Sequence, residues 1–206
     1  MSGEQNENPR HAPDESSDAD HEFPWDEGEP STADVGKEGR LLERRQQQFR
    51  AAARRLAAAF AEIPSVRRIM LFGSVAVPLP AEIPRFRAYR RAGIALPHEC
   101  RDIELGVWVD DLADLRRLGM ARSRALNQLL AETDIGVAHH QVDVFLFEPR
   151  TDRYLGRLCI FNQCPKGKRE CLVPGCGVTC FLRQIEGFEF RPDALSPGRS
   201  MVLLER

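Results

Sequence analysis

Apolar positions along this chain fall into periodic stretches separated by turn-rich segments. Over residues 40–63 they recur at helical spacing. Leu42, Phe49, Leu56 and Ile63 stand seven apart, Ala53 and Phe60 fill in, and Arg44, Arg45, Arg54 and Arg55 lie largely elsewhere on the wheel. This predicts a helix packed on a domain, stopped by Pro64, whose ring removes a donor and clashes with the preceding turn. "VRRIMLF" (66–72) reads as a buried strand running into Gly73-Ser74. Residues 102–109 alternate: Asp102, Glu104, Gly106 and Trp108 point one way, and Ile103, Leu105, Val107 and Val109 the other. A helix over 111–132 follows, capped by Asp110 or Asp111, with Leu112, Leu115, Leu126, Leu129 and Leu130 as its apolar stripe. "QVDVFLF" (141–147) alternates again and places Asp143 on the face of Gln141, Phe145 and Phe147. A last strand is expected near Met201–Leu204.

Between the first two strands, residues 75–100 hold four prolines and Arg85, Arg87, Arg90 and Arg91, which predicts an irregular insertion. Its arginines suit phosphates or a nucleic-acid acceptor, and equally a solvated basic loop.

Composition changes the picture at the two ends. The formal net charge of -2 hides an asymmetry: residues 1–38 carry twelve acids against two bases, a net of -10, and residues 39–206 carry 27 bases against 19 acids, a net of +8. The first segment is too polar to offset its ordering entropy, so it reads as a disordered acidic tail over 1–38, a solubilising segment or one that docks through "EFPWDE" (22–27). No apolar run approaches the ~18 residues of a membrane span, and no basic-then-apolar leader opens the sequence. The expected location is the cytoplasm, with no membrane partner.

Five of the six cysteines fall within 159–180, at Cys159, Cys164, Cys171, Cys176 and Cys180. Without an export signal such clustering favours a metal over disulfides. Turn residues Pro165, Gly167, Pro174 and the glycines around Cys176 suit loops about a tetrahedral ion, and thiolates select Zn²⁺. Cys159, Cys164, Cys171 and Cys176 are the expected ligands of a structural zinc, with Cys180 able to replace Cys159. Reduced core or surface cysteines are the plainer alternative. Lys166, Lys168 and Arg169 could touch a phosphate backbone or be plain surface. Cys100 reads as a small packed residue, and His98, His139 and His140 as loop-end polar residues, with either of the last two also suited to a proton shuttle.

The acids carry the chemistry. Asp102 and Glu104 stand on one strand face about 6.6 Å apart and repel when both ionised. A divalent cation turns that repulsion into attraction, and Mg²⁺ favours carboxylates plus substrate phosphates. Asp143 on a neighbouring strand would complete a site for displacement at phosphorus. Gly73-Ser74 after a strand can present backbone N–H groups and a hydroxyl to an anion. An acid pair on a strand is also what a plain solvent face looks like.

"LFGSVA" (71–76), "RDIELGVWV" (101–109) and "VDVFLF" (142–147) together resemble the DNA polymerase beta-like nucleotidyltransferase superfamily, over residues 66–147. The resemblance implies an α+β fold, a mixed β-sheet with flanking helices over 39–150; the cysteine run reads as an added Cys-rich zinc lobe over 151–206. It implies Gly73 and Ser74 on a nucleoside triphosphate, ATP by default, and Asp102, Glu104 and Asp143 as catalytic metal ligands for Mg²⁺ or Mn²⁺. A nucleoside monophosphate would pass to an acceptor hydroxyl on protein, RNA or a small molecule, with release of pyrophosphate. Two features depart from the family: Glu104 where Asp is more usual, and the length of the 75–100 insertion. A non-catalytic regulatory or nucleic-acid- or protein-binding module on the same scaffold is the other reading.

Overall fold

The computed structural model describes residues 29–161, 164, 179–185 and 187–206. Helix α1 (Thr32–Ala61) opens the described chain, at Thr32 rather than at residue 40. The cause is a local capping box that carries no apolar period: Asp34 N–H donates to Ser31 Oγ (3.2 Å) and Ser31 N–H donates to Asp34 Oδ2 (3.1 Å). Residues 32–38 are therefore helical and not part of a disordered tail, while residues 1–28 lie outside the described set.

Strand β1 (Val66–Phe72) follows. The insertion is not wholly irregular. It holds a two-stranded ribbon, β2 (Ala81–Glu82) and β3 (Leu96–Pro97), around the short helix α2 (Arg87–Ala92). Strand β4 (Ile103–Val109), helix α3 (Leu115–Thr133) and strand β5 (Val142–Phe147) complete the run expected from the periods. Then come β6 (Tyr154–Leu158), β7 (Leu182–Arg183) and β8 (Ser200–Glu205).

Among the described residues the main sheet has six strands in the order β7-β6-β5-β4-β1-β8. β4 and β5 are parallel, joined through α3, and every other pairing is antiparallel. The fold is thus mixed α+β around a mixed sheet. The insertion loops out cleanly, since β1 pairs directly with β4.

The two long helices do not flank the sheet on opposite sides. Both pack on one face, where Phe49, Leu56 and Phe60 of α1 and Leu115, Leu118 and Leu126 of α3 cover Ile69, Leu105, Val107 and Val144. Asp114, not Asp110 or Asp111, stands at the N-cap of α3 and makes no side-chain cap bond. Asp110 is drawn off by an ion pair with Arg67, and Asp111 Oδ1 accepts from Ala113 N–H (2.8 Å) in the turn before the helix. Leu130 is exposed rather than core, because the stripe of α3 runs through Leu118, Arg122 and Leu129. The opposite face carries Met70, Phe72, Trp108, Phe145 and Phe147, roofed by Phe188 and Phe190. Trp108 stacks on Phe147 (centroids 4.8 Å apart), and its indole N–H donates to Asp152 Oδ1 (2.6 Å). Glu104 and Asp143 lie at one edge of this aromatic face.

Candidate active site

At the end of β1 the chain enters a single 3-10 turn, Gly73–Val75. Gly73 has φ +73°, in the left-handed region that a residue with a Cβ enters only at a cost. Helix α1 pins this turn. Gln46, buried within the apolar stripe, donates from Nε2 to the carbonyls of Ser74 (2.9 Å) and Val77 (2.6 Å). Arg50 donates from Nε to the Val75 carbonyl (2.8 Å) and from Nη2 to that of Val77 (3.1 Å). The Ser74 side chain hydrogen-bonds the Cys100 thiol, joining the two roots of the insertion. Burial pushes that thiol's pKa up, and the Ser74 bond opposes the shift. Cys100 is packed in the core, as its position suggested.

Register brings the acids to this turn. Glu104 is the partner of Phe72 on β1 and of Asp143 on β5. Its carboxylate lies where a Cβ at residue 73 would stand: one built on Gly73 overlaps Glu104 Oε2. Gly73, Glu104 and Asp143 are therefore in one place. Burial pushes the Glu104 carboxyl above its usual range; the charge of Asp143 adds to this, Arg157 opposes it, and Asp102 adds a further push. Asp102 is exposed, just before β4 begins. The start of β4 is tied to β5 by Gln141 Nε2, which donates to the Arg101 carbonyl (3.1 Å).

Asp143 has a cationic partner: Arg157 Nη1 donates to Asp143 Oδ2 (2.9 Å). The Arg157 guanidinium also lies over the rings of Phe145 (4.4 Å) and Phe188 (4.9 Å). Among the described residues no three His, Cys, Asp or Glu side chains gather closely enough to hold a metal ion. The close partners are Glu104 and Asp143, with Asp102 at the exposed margin. Two hard carboxylates that repel match the donor set of Mg²⁺, which uses one or two carboxylates and fills its shell with water and substrate phosphate.

Arg122 and Arg157 escape a reading of the sequence, as do Gln46 and Arg50. Arg122 is fully buried on α3, and its Nη2 donates to the carbonyls of Cys159 (3.0 Å) and Ile160 (2.9 Å). Burial lowers its pKa, against the opposing pull of Cys159 and Asp143. A polar residue interrupting an apolar stripe at helical spacing is the signal that finds Gln46 and Arg122. Arg157 has no such signal.

The remaining candidates scatter. His98 Nδ1 sits 2.9 Å from Glu82 Oε1 in the insertion. His139 and His140 fall in the 3-10 turn before β5, where burial and then Arg122 lower the pKa of His139. Cys159 is buried, its N–H donating to the Phe181 carbonyl (2.8 Å); Cys164 is half-buried and Cys180 exposed. Cys171 and Cys176 lie outside the described residues, as do Lys166, Lys168 and Arg169. No helix among the described residues is long and apolar enough to cross a membrane. The chain matches no protein-family model, no curated protein and no solved structure.

Proposed function

We propose that this chain is a metal-dependent nucleotidyltransferase that moves a nucleoside monophosphate, AMP from ATP in the simplest case, to an acceptor hydroxyl. One observation carries the reading. A glycine turn and two strand carboxylates, from three separate segments, meet at one end of the sheet. The insertion between them does not keep them apart.

In this reading Gly73 and Ser74 cradle the triphosphate through backbone N–H groups, held in place by Gln46 and Arg50. Glu104 and Asp143 would hold Mg²⁺, with water and substrate phosphate filling its shell, and Asp102, at the exposed margin, would act on the ion through one of those waters. A bound divalent cation would neutralise phosphate charge and favour in-line displacement at the α-phosphorus. Asp143, or a water it orients, takes the acceptor's proton. Phe72 and Phe145 limit water on one side of the acids. The cysteine segment adds a structural zinc, and the protein works in the cytoplasm.

A specific contact favours the second reading, a non-catalytic binding module. Arg157 already supplies Asp143 with a positive charge, which is how a scaffold without metal would balance its acids. Thermal unfolding with nucleotide separates the two. The enzyme predicts that ATP with Mg²⁺ or Mn²⁺ raises the Tm, that Asp102→Asn and Asp143→Asn remove the metal-dependent part, and that α-labelled ATP labels an acceptor. A Tm unmoved by every nucleoside triphosphate with either metal would sink the catalytic reading.

A further inference from the structure

The insertion ends in a surface that the nucleotide site does not use. Residues 79–101 carry five arginines against two glutamates, a net of +3. Arg85 and Arg101 share Glu99 (3.4 and 3.6 Å). Arg87, Arg90 and Arg91 are exposed and form no ion pair among the described residues. They stand at i, i+3 and i+4 on α2, so their charges issue from one side. Aromatic and aliphatic side chains are interleaved with them. Phe86 (38% exposed) meets Tyr89 edge to face, with centroids 6.4 Å apart, and Ile83 is 56% exposed. Phe86, Ala88 and Tyr89 border a shallow hollow of about 210 Å³ closed by Glu38 of α1.

This surface is held firmly. The β2–β3 ribbon pairs at its base, His98 N–H donates to the Pro80 carbonyl (2.8 Å), Leu96 is buried, and Pro97 lies against Gly39 of α1. Its two roots are Ser74 and Cys100, at the candidate site. The face thus joins three guanidinium groups without an ion pair among the described residues to two exposed apolar side chains, Phe86 and Ile83, a combination suited to a ligand that carries both phosphates and flat rings.

We propose that the Ile83–Arg91 face is a docking surface for single-stranded nucleic acid. Arginine guanidinium groups would take the phosphates, and Phe86 and Tyr89 offer ring faces on which bases stack in single strands but not in a closed duplex. Glu38 can accept a hydrogen bond from a base amino group at the floor of the hollow. That the bound strand's end is the acceptor of nucleotidyl transfer rests on the function proposed above; the binding itself does not.

Fluorescence anisotropy of a 5′-fluorescein 20-nucleotide single-stranded RNA, titrated with the full chain, tests this. Three neutralised phosphates predict that affinity falls roughly 20-fold between 50 and 200 mM KCl. Arg87→Ala/Arg90→Ala/Arg91→Ala should abolish most of that salt dependence with an unchanged Tm, because all three side chains are exposed. Phe86→Ala should weaken binding at least about fivefold, even in high salt. A duplex of the same sequence should bind more weakly. No binding at 50 mM KCl, or binding indifferent to the triple variant, overturns the proposal. Equal capture of a poly-glutamate peptide, unaffected by Phe86→Ala, also overturns it and assigns the face to an acidic protein. Asp102→Asn should leave RNA binding intact, so loss of nucleotidyl transfer and loss of RNA binding are separate results.

Discussion

Gly73→Ala tests the contact on which the candidate site depends. A Cβ at residue 73 meets two obstacles. The backbone stands at φ +73°, which costs an L-residue about 1–2 kcal/mol. The new methyl group would also overlap Glu104 Oε2, the far end of a flexible side chain, and driving that carboxylate off its rotamer costs about 0.5–1.5 kcal/mol. The expected loss is about 1.5–3.5 kcal/mol, which for a chain of this size lowers Tm by roughly 3–14 °C. The second cost disappears when Glu104 is shortened, and the first does not. Urea unfolding of Gly73→Ala, Glu104→Ala and the double variant should therefore give a coupling of about 0.5–1.5 kcal/mol, the double variant being more stable than the sum of the singles allows. Additivity within about 0.3 kcal/mol would mean that the Glu104 carboxylate is not held against Gly73, and the packed site would come apart with it.

The other predictions concern charge and metal. The Glu104 carboxyl titrates above its ordinary value of 4.5, so the folded state is penalised once the group ionises. Below the ordinary value the group is protonated in both states and the penalty is absent; as pH rises through the elevated folded value the penalty becomes complete. Glu104→Gln should accordingly raise the Tm at pH 7, with a gain that fades as pH falls through the elevated folded value and is gone below about 4.5; a gain that persists at about pH 3.5 would contradict the electrostatic cause. Arg157→Met removes the partner of Asp143 and one opposing charge from Glu104, so it should cost about 1–3 kcal/mol in urea unfolding and push the Glu104 titration higher still. Elemental analysis should find one zinc per chain, lost in Cys164→Ala and Cys171→Ala; a metal-free, fully folded protein would assign the cysteines to ordinary packing.

Local periods determine a good deal of this protein. The seven-residue recurrence of Leu42, Phe49 and Leu56 is α1, with Ile63 buried just past its end, and the alternation through Ile103–Val109 and Val142–Phe147 is β4 and β5, because burial on one face imposes its period on the residues beneath. The same alternation put Glu104 and Asp143 on the faces where they are found. Element ends were less legible. Ser31 and Asp34 cap α1 through two local hydrogen bonds that no apolar pattern records, and Asp110 is lost as a cap to an ion pair with Arg67, distant in the chain.

Only the tertiary structure decided what meets what. Periodicity says which way a side chain faces but not which strand lies beside it; strand order and register come from hydrogen bonds between segments far apart in sequence. The parallel pairing of β4 with β5 sets Asp143 beside Glu104, and the antiparallel pairing of β1 with β4 brings Gly73 against the same carboxylate. Arg157 reaches Asp143 from a short strand whose sequence announces nothing, and Gln46 and Arg50 reach the Ser74 turn from the opening helix. The acids could be found by reading. Their neighbours could not, because a neighbour is a property of the closed sheet and not of the segment that supplies it.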